Sequence, residues 1–599
     1  MGAHVKHVKR LSFTATGVGL AAVLALTAIG GVPVQAAVTA PVDCPRPFPT
    51  VEAVDGVRGT GFSVEKGTVP EPFSAEVVGR IDDGIAPGVD MIMARVSSPA
   101  ITRAGGIWQG MSGSPVYAPD GRLIGALAYG LAANTYYAGI TPAESMFPLL
   151  TTASATRATG AAGSRTGAAR VAVPPAAARQ LAARGVGAQA VQGGFSRLEI
   201  PVSLSGAGDA FQRRITDRFF GTIPGVRVVT GGTRAPARVA SPSTIRAGGN
   251  FAAALSYGAT TAAGIGTTTF VCEGRAVAFG HPLLFAGPVT YSAHSASALF
   301  VQPRTGRPPF KVANIGGVVG TVDRESRAGL GARLGAGPRT ALVTTTFSRV
   351  GGRAVTDTTR VAAEDFTTAV ADLQVWRGAR AVLGGRTPGS ATVSIKIAGV
   401  RANGRPFTLA VKDRYADVDN IPFDLALRVG DALGALQDQD FEDARITSVD
   451  VKGTVEPTVR EYRITSVTAK QGSRYVPFDR ITATPGSTVR VRVTMASYRN
   501  LLGSRTVDLA LRVPRSLPRD GVSPVVNAGS VWGEHDDATT FEALLQDLQT
   551  TGHGTSIRLG LITDDGTGHA SGRRLVASTK VSVPAAIRVF QLPGDPMAG

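Results

Sequence analysis

A glycine-flanked turn in the first third of the chain holds a serine in a setting suited to nucleophilic chemistry. The segment GMSGSP begins at Gly110 and places Ser112 between glycines, and strand-like runs follow at Pro115–Tyr117 and Leu123–Tyr129. Glycines allow the tight backbone conformation that turns successive N–H groups inward. The amides of Gly110 and Ser112 are therefore predicted to stabilise an oxyanion beside the Ser112 hydroxyl.

A serine hydroxyl is inert without a base and a group that orients the base. His281 is the candidate base, because the segment AFGHPLL ends a predicted hairpin and places the imidazole directly after Gly280. A hydrogen-bonded structural histidine is the alternative interpretation. The other histidines beyond the N-terminal segment lie in less constrained contexts: His294, His535, His553 and His569.

Together the two segments resemble the stage IV sporulation protein B peptidase family, serine peptidases with a chymotrypsin-like arrangement. The resemblance lies in the block Gly105–Tyr129, which reads GGIWQGMSGSP and then GRLIGA, and in the AFGHP block. It implies that Ser112 is the nucleophile and His281 the general base. It covers residues 41–350 in patches and says little about residues 351–599.

The order of the two segments departs from the family. Ser112 precedes His281 here, whereas the family has its histidine segment first. Geometry rather than chain order defines a catalytic site, so the reordered halves must dock across a long connection.

The acid is the second departure. Where the family has an aspartate shortly before the nucleophile, this chain has Ser98 followed by proline. Asp90, which opens an apolar strand, is the best substitute for orienting the tautomer of His281. A structural turn aspartate is the alternative interpretation of Asp90, Asp323 is a weaker candidate, and a serine–histidine dyad needs no acid.

Composition excludes several classes of function. The formal charge is +18, but the arginines are scattered singly and no aromatic residues are interleaved with them, so nucleic-acid binding is not expected. Attraction to an anionic cell-envelope surface is the favoured meaning of the charge. No H-E-x-x-H spacing, phosphate-binding loop or dinucleotide fingerprint occurs, so no metal or other cofactor is predicted.

The N-terminus and the cysteines both indicate an exported protein. Basic residues, an apolar stretch and a small-x-small site predict a cleaved signal peptide over residues 1–36. No later apolar run reaches the ~18 residues that a transmembrane helix needs. Outside the cell, Cys44 and Cys272 are predicted to form one disulfide, with two buried thiols as the alternative.

Glycine, proline and turn signals predict a mainly β chain with several domains. We expect chymotrypsin-like β-barrel modules in reordered halves, an α+β domain, and a C-terminal β-sandwich. After the signal peptide, the predicted divisions are a serine module at 37–150, an Ala/Gly/Arg-rich linker at 151–190, a histidine module at 191–350, an α+β domain at 351–460 and an accessory sandwich at 461–599.

Two functions fit these observations. The first is a secreted serine endopeptidase that cleaves one specific protein, or its own linker at 151–190, by a Ser112–His281 mechanism. The second is a catalytically inactive, peptidase-like cell-envelope protein that binds or adheres. A separation of more than ~6 Å between Ser112 Oγ and His281 Nε2 would favour the binding protein, because a general base must lie within hydrogen-bond reach.

Overall fold

A computed structural model describes residues 44–132, 136–151, 170–204, 226–230, 235–284, 287–478, 483–515, 522–528, 538–550, 554–563, 568–570, 575–576 and 586–589. The chain separates into two units, 1–40 and 41–599, and all described residues belong to the second. The predicted signal peptide at 1–36 lies outside the described residues. The described chain is mainly β, as the composition predicts.

The first sheet carries the serine. Its strands are β1 (Arg58–Ser63), β2 (Glu71–Ala86), β3 (Val89–Ser97), β4 (Ser114–Tyr117), β5 (Leu123–Leu131), β6 (Tyr137–Pro142), β7 (Arg170–Val171) and β8 (Phe195–Arg197). They pair in the order β4-β1-β2-β3-β6-β5-β8-β7, and an additional β4–β5 pairing closes the first six strands into a ring. The apolar run of β5 is buried almost throughout, as expected for a strand covered on both faces.

Short helices flank this ring. They are α1 (Pro99–Ala104), α2 (Ala143–Met146), α3 (Pro175–Ala183) and α4 (Ala188–Gly193), and a 3₁₀ turn at Phe147–Leu150 follows α2. Both α3 and α4 fall largely within or next to the segment predicted as a linker. Alanine favours helix, and Pro175 occupies the first turn of α3, where it is tolerated, so this half of the segment is ordered. Its other half, 152–169, lies outside the described residues.

The second sheet carries the histidine. Its strands are β9 (Ile200–Leu204), β10 (Val226–Thr230), β11 (Asn250–Gly258), β12 (Ala262–Cys272), β13 (Arg275–Ala278), β14 (Pro288–Gln302), β15 (Phe310–Ser326), β16 (Gly329–Leu334), β17 (Ala341–Arg349), β18 (Val355–Val361), β19 (Gly389–Val400), β20 (Pro406–Asp417) and β21 (Arg445–Glu456). The order is β10-β9-β12-β13-β16-β15-β14-β11-β18-β17-β21-β19-β20, and a β11–β12 pairing closes a second ring of six strands.

The boundary predicted at residue 350 does not divide this sheet. Strands from both sides of 350 pair with one another, and one hydrophobic core extends from Ile200 to Leu548. Two longer helices, α5 (Thr367–Leu383) and α6 (Ile421–Gln437), pack against each other and bury apolar faces in that core. Apolar helical spacing at Ala362–Trp376 and Pro422–Leu436 predicts both helices. Helix α5 begins later than this spacing predicts, because a 3₁₀ turn at Glu364–Phe366 precedes it.

Two smaller sheets follow. Their strands are β22 (Tyr462–Gln471), β23 (Arg474–Pro477), β24 (Thr488–Ser497), β25 (Ser504–Arg512), β26 (Val522–Ala528), β27 (Ser556–Thr563), β28 (Gly568–Ala570), β29 (Leu575–Val576) and β30 (Ala586–Val589), with helix α7 (Phe541–Thr550) between β26 and β27. The sheet β23-β22-β24-β25 shares one core with β26 and β27, which belong to a separate sheet of order β28-β27-β26-β30 with β29 paired to β27. Of the helices in the described ranges, none has both the length and the apolar character needed to cross a bilayer.

A disulfide joins the two rings. Cys44 and Cys272 are bonded across a sequence separation of 228 residues, which confirms the predicted pairing. The Cys44 N–H also donates to the Val271 carbonyl at 2.8 Å, so the start of the described chain is attached to the end of β12. Between the rings, Phe147 stacks on Phe270 at 4.8 Å within a shared hydrophobic cluster.

Removing this disulfide should destabilise the paired rings. We expect the double variant Cys44→Ser, Cys272→Ser to lose about 2–5 kcal/mol, because the cross-link constrains a long loop of the unfolded chain. Thermal unfolding followed by circular dichroism measures the loss, with the oxidised parent as control. An unchanged midpoint would contradict a stabilising role for the bond.

Candidate active site

The serine turn connects α1 to β4. The Met111 N–H donates to the Trp108 carbonyl at 3.0 Å, and the Ser114 N–H donates to the Met111 carbonyl at 2.8 Å. Two glycines flank the serine with positive φ, Gly110 at 98° and Gly113 at 96°, a region that side chains with a Cβ rarely adopt. The turn is therefore tight, and its geometry depends on both glycines.

Strand β12 of the second ring holds this turn through three hydrogen bonds. The Thr267 N–H donates to the Ser112 carbonyl at 2.8 Å, and the Thr267 hydroxyl donates to the Gly110 carbonyl at 3.1 Å. The Thr269 hydroxyl donates to the Gly113 carbonyl at 2.9 Å. Sequence reasoning missed both threonines. The signal that could have identified them is the run of three threonines at 267–269 in an otherwise apolar strand, whose first and third members lie on one face.

His281 follows β13 in a sharply reversed segment. Phe279 and Gly280 both have positive φ, 70° and 67°. The left-handed conformation costs a residue such as Phe279 about 1–2 kcal/mol, and its burial against Phe251 helps to hold it there. From the first ring, the Thr141 hydroxyl donates to the Gly280 carbonyl at 2.6 Å. Both rings therefore fix the position of the imidazole.

These two segments bring Ser112 and His281 together. His281 Nε2 lies 2.8 Å from Ser112 Oγ, across 169 residues of sequence. His281 Nδ1 lies 2.9 Å from the Pro282 carbonyl oxygen. A carbonyl only accepts hydrogen bonds, so the proton resides on Nδ1 and Nε2 is left to accept the Ser112 hydroxyl proton. The backbone thereby selects the tautomer that a general base requires.

Neither candidate acid contacts the imidazole. Asp90 accepts a hydrogen bond from the Asp83 N–H at 2.9 Å and lies 3.4 Å from Arg80, so its carboxylate stabilises the β2–β3 hairpin. Asp323 pairs with two arginines of the second ring, Arg275 and Arg333. The Asp90 prediction is corrected accordingly: an aspartate that opens a strand can cap its own hairpin, and the Nδ1 position of His281 is filled by the Pro282 carbonyl.

Burial and a nearby cation keep the imidazole neutral. Burial, and to a smaller extent the charge of Arg197, lower the pKa of His281 to about 3, although the hydrogen bond to the Pro282 carbonyl acts to raise it. Arg197 lies on β8, which pairs with β5 at Tyr129, and the Tyr129 ring meets the imidazole edge-on at 6.5 Å. Burial also raises the pKa of Tyr129 to about 12. At neutral pH His281 is therefore unprotonated, and the same lowered pKa makes it a weaker base in this enclosed conformation.

The amides predicted to bind an oxyanion remain available. Within the described ranges, the N–H groups of Gly110 and Ser112 donate to no other residue, whereas those of Met111, Gly113 and Ser114 do. Ser112 is 1% exposed and His281 is fully buried. The site is thus enclosed in this conformation.

No protein-family model matches this chain, and searches of curated proteins and of solved structures returned no match. Among the residues that the structure describes, no group of three or more His, Cys, Asp or Glu side chains could hold a metal ion.

Close packing at Gly113 is expected to be essential for the site. A Cβ at Gly113 would overlap the Thr267 carbonyl oxygen and the backbone of Phe279, in addition to the strain at φ 96°. We expect Gly113→Ala to lower the unfolding temperature far more than Gly121→Ala. Gly121 is the matched control, because its φ is 81° but a Cβ there meets nothing within 4 Å. Equal losses would contradict this packing.

The buried histidine should make folding sensitive to acid. The pKa of His281 lies below that of the unfolded chain, so the unfolded chain binds an additional proton as the pH falls. The contribution of neutral His281 to the free energy of unfolding is complete above about pH 6.5 and is lost progressively as the pH falls below that value. Denaturant unfolding at pH 7.5 and pH 5 measures the effect, which should shrink in His281→Gln. NMR shifts of the folded imidazole that titrate near pH 6.5 would contradict it.

Proposed function

We propose that this chain is a secreted serine endopeptidase with Ser112 as nucleophile and His281 as general base. The 2.8 Å approach of His281 Nε2 to Ser112 Oγ is the observation that carries the proposal. It lies well within the distance that proton transfer requires. Two closed rings of six strands, one bearing each residue, support the chymotrypsin-like arrangement implied by the sequence resemblance.

In the first step, Ser112 Oγ attacks the carbonyl carbon of a peptide bond while its proton passes to His281 Nε2. The carbonyl oxygen becomes an oxyanion, which accepts hydrogen bonds from the amides of Gly110 and Ser112. Removing one such donor typically costs an enzyme ~10²–10³ in kcat. The tetrahedral intermediate then collapses, the C–N bond breaks, and Nε2 returns the proton to the departing amine.

In the second step, water cleaves the ester on Ser112. His281 Nε2 removes a proton from the water as its oxygen attacks the acyl carbon, and then protonates Ser112 Oγ as the acid product leaves. The Pro282 carbonyl keeps Nδ1 protonated throughout. A backbone dipole thus supplies the orientation that a carboxylate supplies in an aspartate-containing triad, with less stabilisation of the imidazolium.

Enclosure of the site bears on the substrate. Because Ser112 and His281 are buried, a polypeptide reaches them only when covering residues move. Such gating suits an enzyme that cleaves one particular protein, or its own segment near 151–190, rather than a digestive one.

The alternative is a peptidase-like cell-envelope protein that binds without turnover. Among the described residues, His281 Nδ1 pairs with the Pro282 carbonyl rather than with a carboxylate, and this and the enclosed serine favour the binding protein. The hydrogen-bonded Ser112–His281 pair favours the enzyme, because a protein that only binds has no need for this geometry or tautomer.

A fluorophosphonate probe tests the proposal directly. We expect the folded protein to be labelled at Ser112, and expect Ser112→Ala and His281→Ala to abolish labelling. Ser114→Ala is the matched control within the same turn and should retain it, as should Asp90→Asn, since Asp90 does not contact the imidazole. Absence of labelling in protein that an unfolding assay shows to be folded would overturn the enzymatic proposal.

The pH dependence of labelling should be unusual. An imidazole of ordinary pKa near 6.5 would lose about 30-fold in rate between pH 7.5 and pH 5 through protonation. With a pKa of about 3, His281 remains neutral, so we expect the rate at pH 5 to stay within about twofold of that at pH 7.5. Circular dichroism at each pH controls for unfolding, and a 30-fold loss in folded protein would contradict the lowered pKa.

A further inference from the structure

Glu325 is a buried carboxylate beside the histidine segment that the reaction described above does not use. It lies near the end of β15 and is 4% exposed. Burying a carboxylate costs free energy unless hydrogen bonds satisfy its oxygens. The partners of Glu325 therefore indicate which part of the fold depends on it.

The hydrogen bonds of Glu325 hold the residues that follow His281. Its Oε1 accepts from the N–H of Leu284, three residues after the imidazole. Its own N–H donates to the Gly287 carbonyl at 2.9 Å. Its other oxygen, Oε2, accepts from the Tyr291 hydroxyl at 3.1 Å. One residue of β15 thus attaches the histidine segment to the second ring through both its side chain and its backbone.

These contacts bear on the imidazole through the Pro282 carbonyl, which accepts from His281 Nδ1. Upstream, a threonine hydroxyl of the first ring holds the Gly280 carbonyl. Downstream, Glu325 holds the Leu284 amide, which belongs to the peptide unit directly after that of the Pro282 carbonyl. Peptide units are planar, so fixing one restricts the rotation of its neighbour. The carbonyl that selects the tautomer therefore lies between two fixed points.

Electrostatics also connects Glu325 to the site. Arg197 is a buried cation of β8 whose pKa is lowered by burial, and the charges of Tyr129 and Glu325 oppose that lowering. After burial, the charge of Arg197 is the next cause of the lowered pKa of His281. A carboxylate at position 325 therefore partly offsets a cation that disfavours the imidazolium.

We propose that Glu325 is the positioning residue of this site, which holds the Leu284 amide and thereby holds the Pro282 carbonyl on His281 Nδ1. A carboxylate then helps to orient the imidazole, as in an aspartate-containing triad, but through the backbone rather than by direct contact. The effect on reaction rate rests on the proposed peptidase function. The effect on the imidazole does not, because the hydrogen bond to Pro282 is present without substrate.

Two substitutions at position 325 separate reach from charge. Glu325→Asp keeps the carboxylate but withdraws it by one methylene, about 1.5 Å, beyond hydrogen-bond distance of the Leu284 N–H. Glu325→Gln loses the charge but keeps a carbonyl oxygen at the same reach. Because the role proposed for Glu325 is to hold Leu284, Glu325→Asp should be the more affected variant.

NMR spectra of ¹⁵N-labelled histidine rings test the positioning without turnover. In the parent, His281 should give an Nδ1–H signal and an unprotonated Nε2, assigned by their loss in His281→Gln. We expect the Nδ1 proton to exchange with water at least about tenfold faster in Glu325→Asp, because the Pro282 carbonyl is no longer held against it. An unchanged exchange rate in folded Glu325→Asp protein would overturn the role of Glu325.

Fluorophosphonate labelling of Ser112 measures the effect on the proposed reaction. Glu325→Asp should lower the rate about 10–100-fold, since misplacing a reacting group by ~1 Å costs up to about 10². Glu325→Gln should stay within about fivefold of the parent. A larger loss in Glu325→Gln than in Glu325→Asp would overturn the positioning role, because charge rather than reach would then decide the rate.

Two control variants remove nearby groups without releasing Leu284. Asp323→Asn removes a carboxylate two residues earlier on β15, which pairs with arginines and not with the histidine segment. Tyr291→Phe removes the hydroxyl partner of Glu325 Oε2. Both should label within about twofold of the parent, and unfolding temperatures show that each variant is folded. A loss in Tyr291→Phe as large as in Glu325→Asp would contradict action through Leu284.

The two proposals fail separately. If the parent resists fluorophosphonate while Glu325→Asp speeds exchange of the His281 Nδ1 proton, the positioning role stands and the peptidase does not. If the parent is labelled and Glu325→Asp matches it in rate and exchange, the peptidase stands and the positioning role is overturned. Should Glu325→Asp not fold, Glu325→Ala takes its place with the same expected results.

Discussion

Three hydrogen bonds from Thr267 and Thr269 to the serine turn hold the two rings in register, and the site depends on them. The turn has no side chain at Gly113 to keep β12 away, so backbone meets backbone. The same strand ends at Cys272, whose disulfide holds it to the beginning of the described chain. One strand therefore aligns the nucleophile. The Phe279 N–H also donates to the Thr267 carbonyl at 3.2 Å, so the same strand positions the segment that carries His281.

Enclosure gives the Ser112–His281 pair its electrostatic character. Desolvation and the charge of Arg197 keep the imidazole neutral, and the Pro282 carbonyl directs its proton to Nδ1. In the reaction proposed for this site, the neutral imidazole accepts the serine proton, but its environment gives less support to the imidazolium that forms. The oxyanion of that proposed reaction, opposite in sign, is the main source of compensation, which makes the amides of Gly110 and Ser112 more important than in a site with a carboxylate.

Much of the local structure was predictable from sequence. Turn signals and alternation predicted the strands around Ser112, helical spacing predicted α5 and α6, and cysteine count predicted the disulfide. The partner of His281 Nδ1 was not predictable, because an aspartate ahead of a strand has the same pattern whether it caps a hairpin or orients a histidine. The division at residue 350 was not predictable either, because strand pairing across that point depends on partners distant in sequence.

By itself the sequence determined the tight serine turn, the histidine in a reversed segment and the pairing of two cysteines, because glycine content and residue type act locally. Tertiary structure alone decided that Ser112 and His281 meet and that a carbonyl rather than Asp90 orients the imidazole. These are contacts between segments far apart along the chain. Their energies depend on burial and on distances of a few ångströms, which no spacing along one segment encodes.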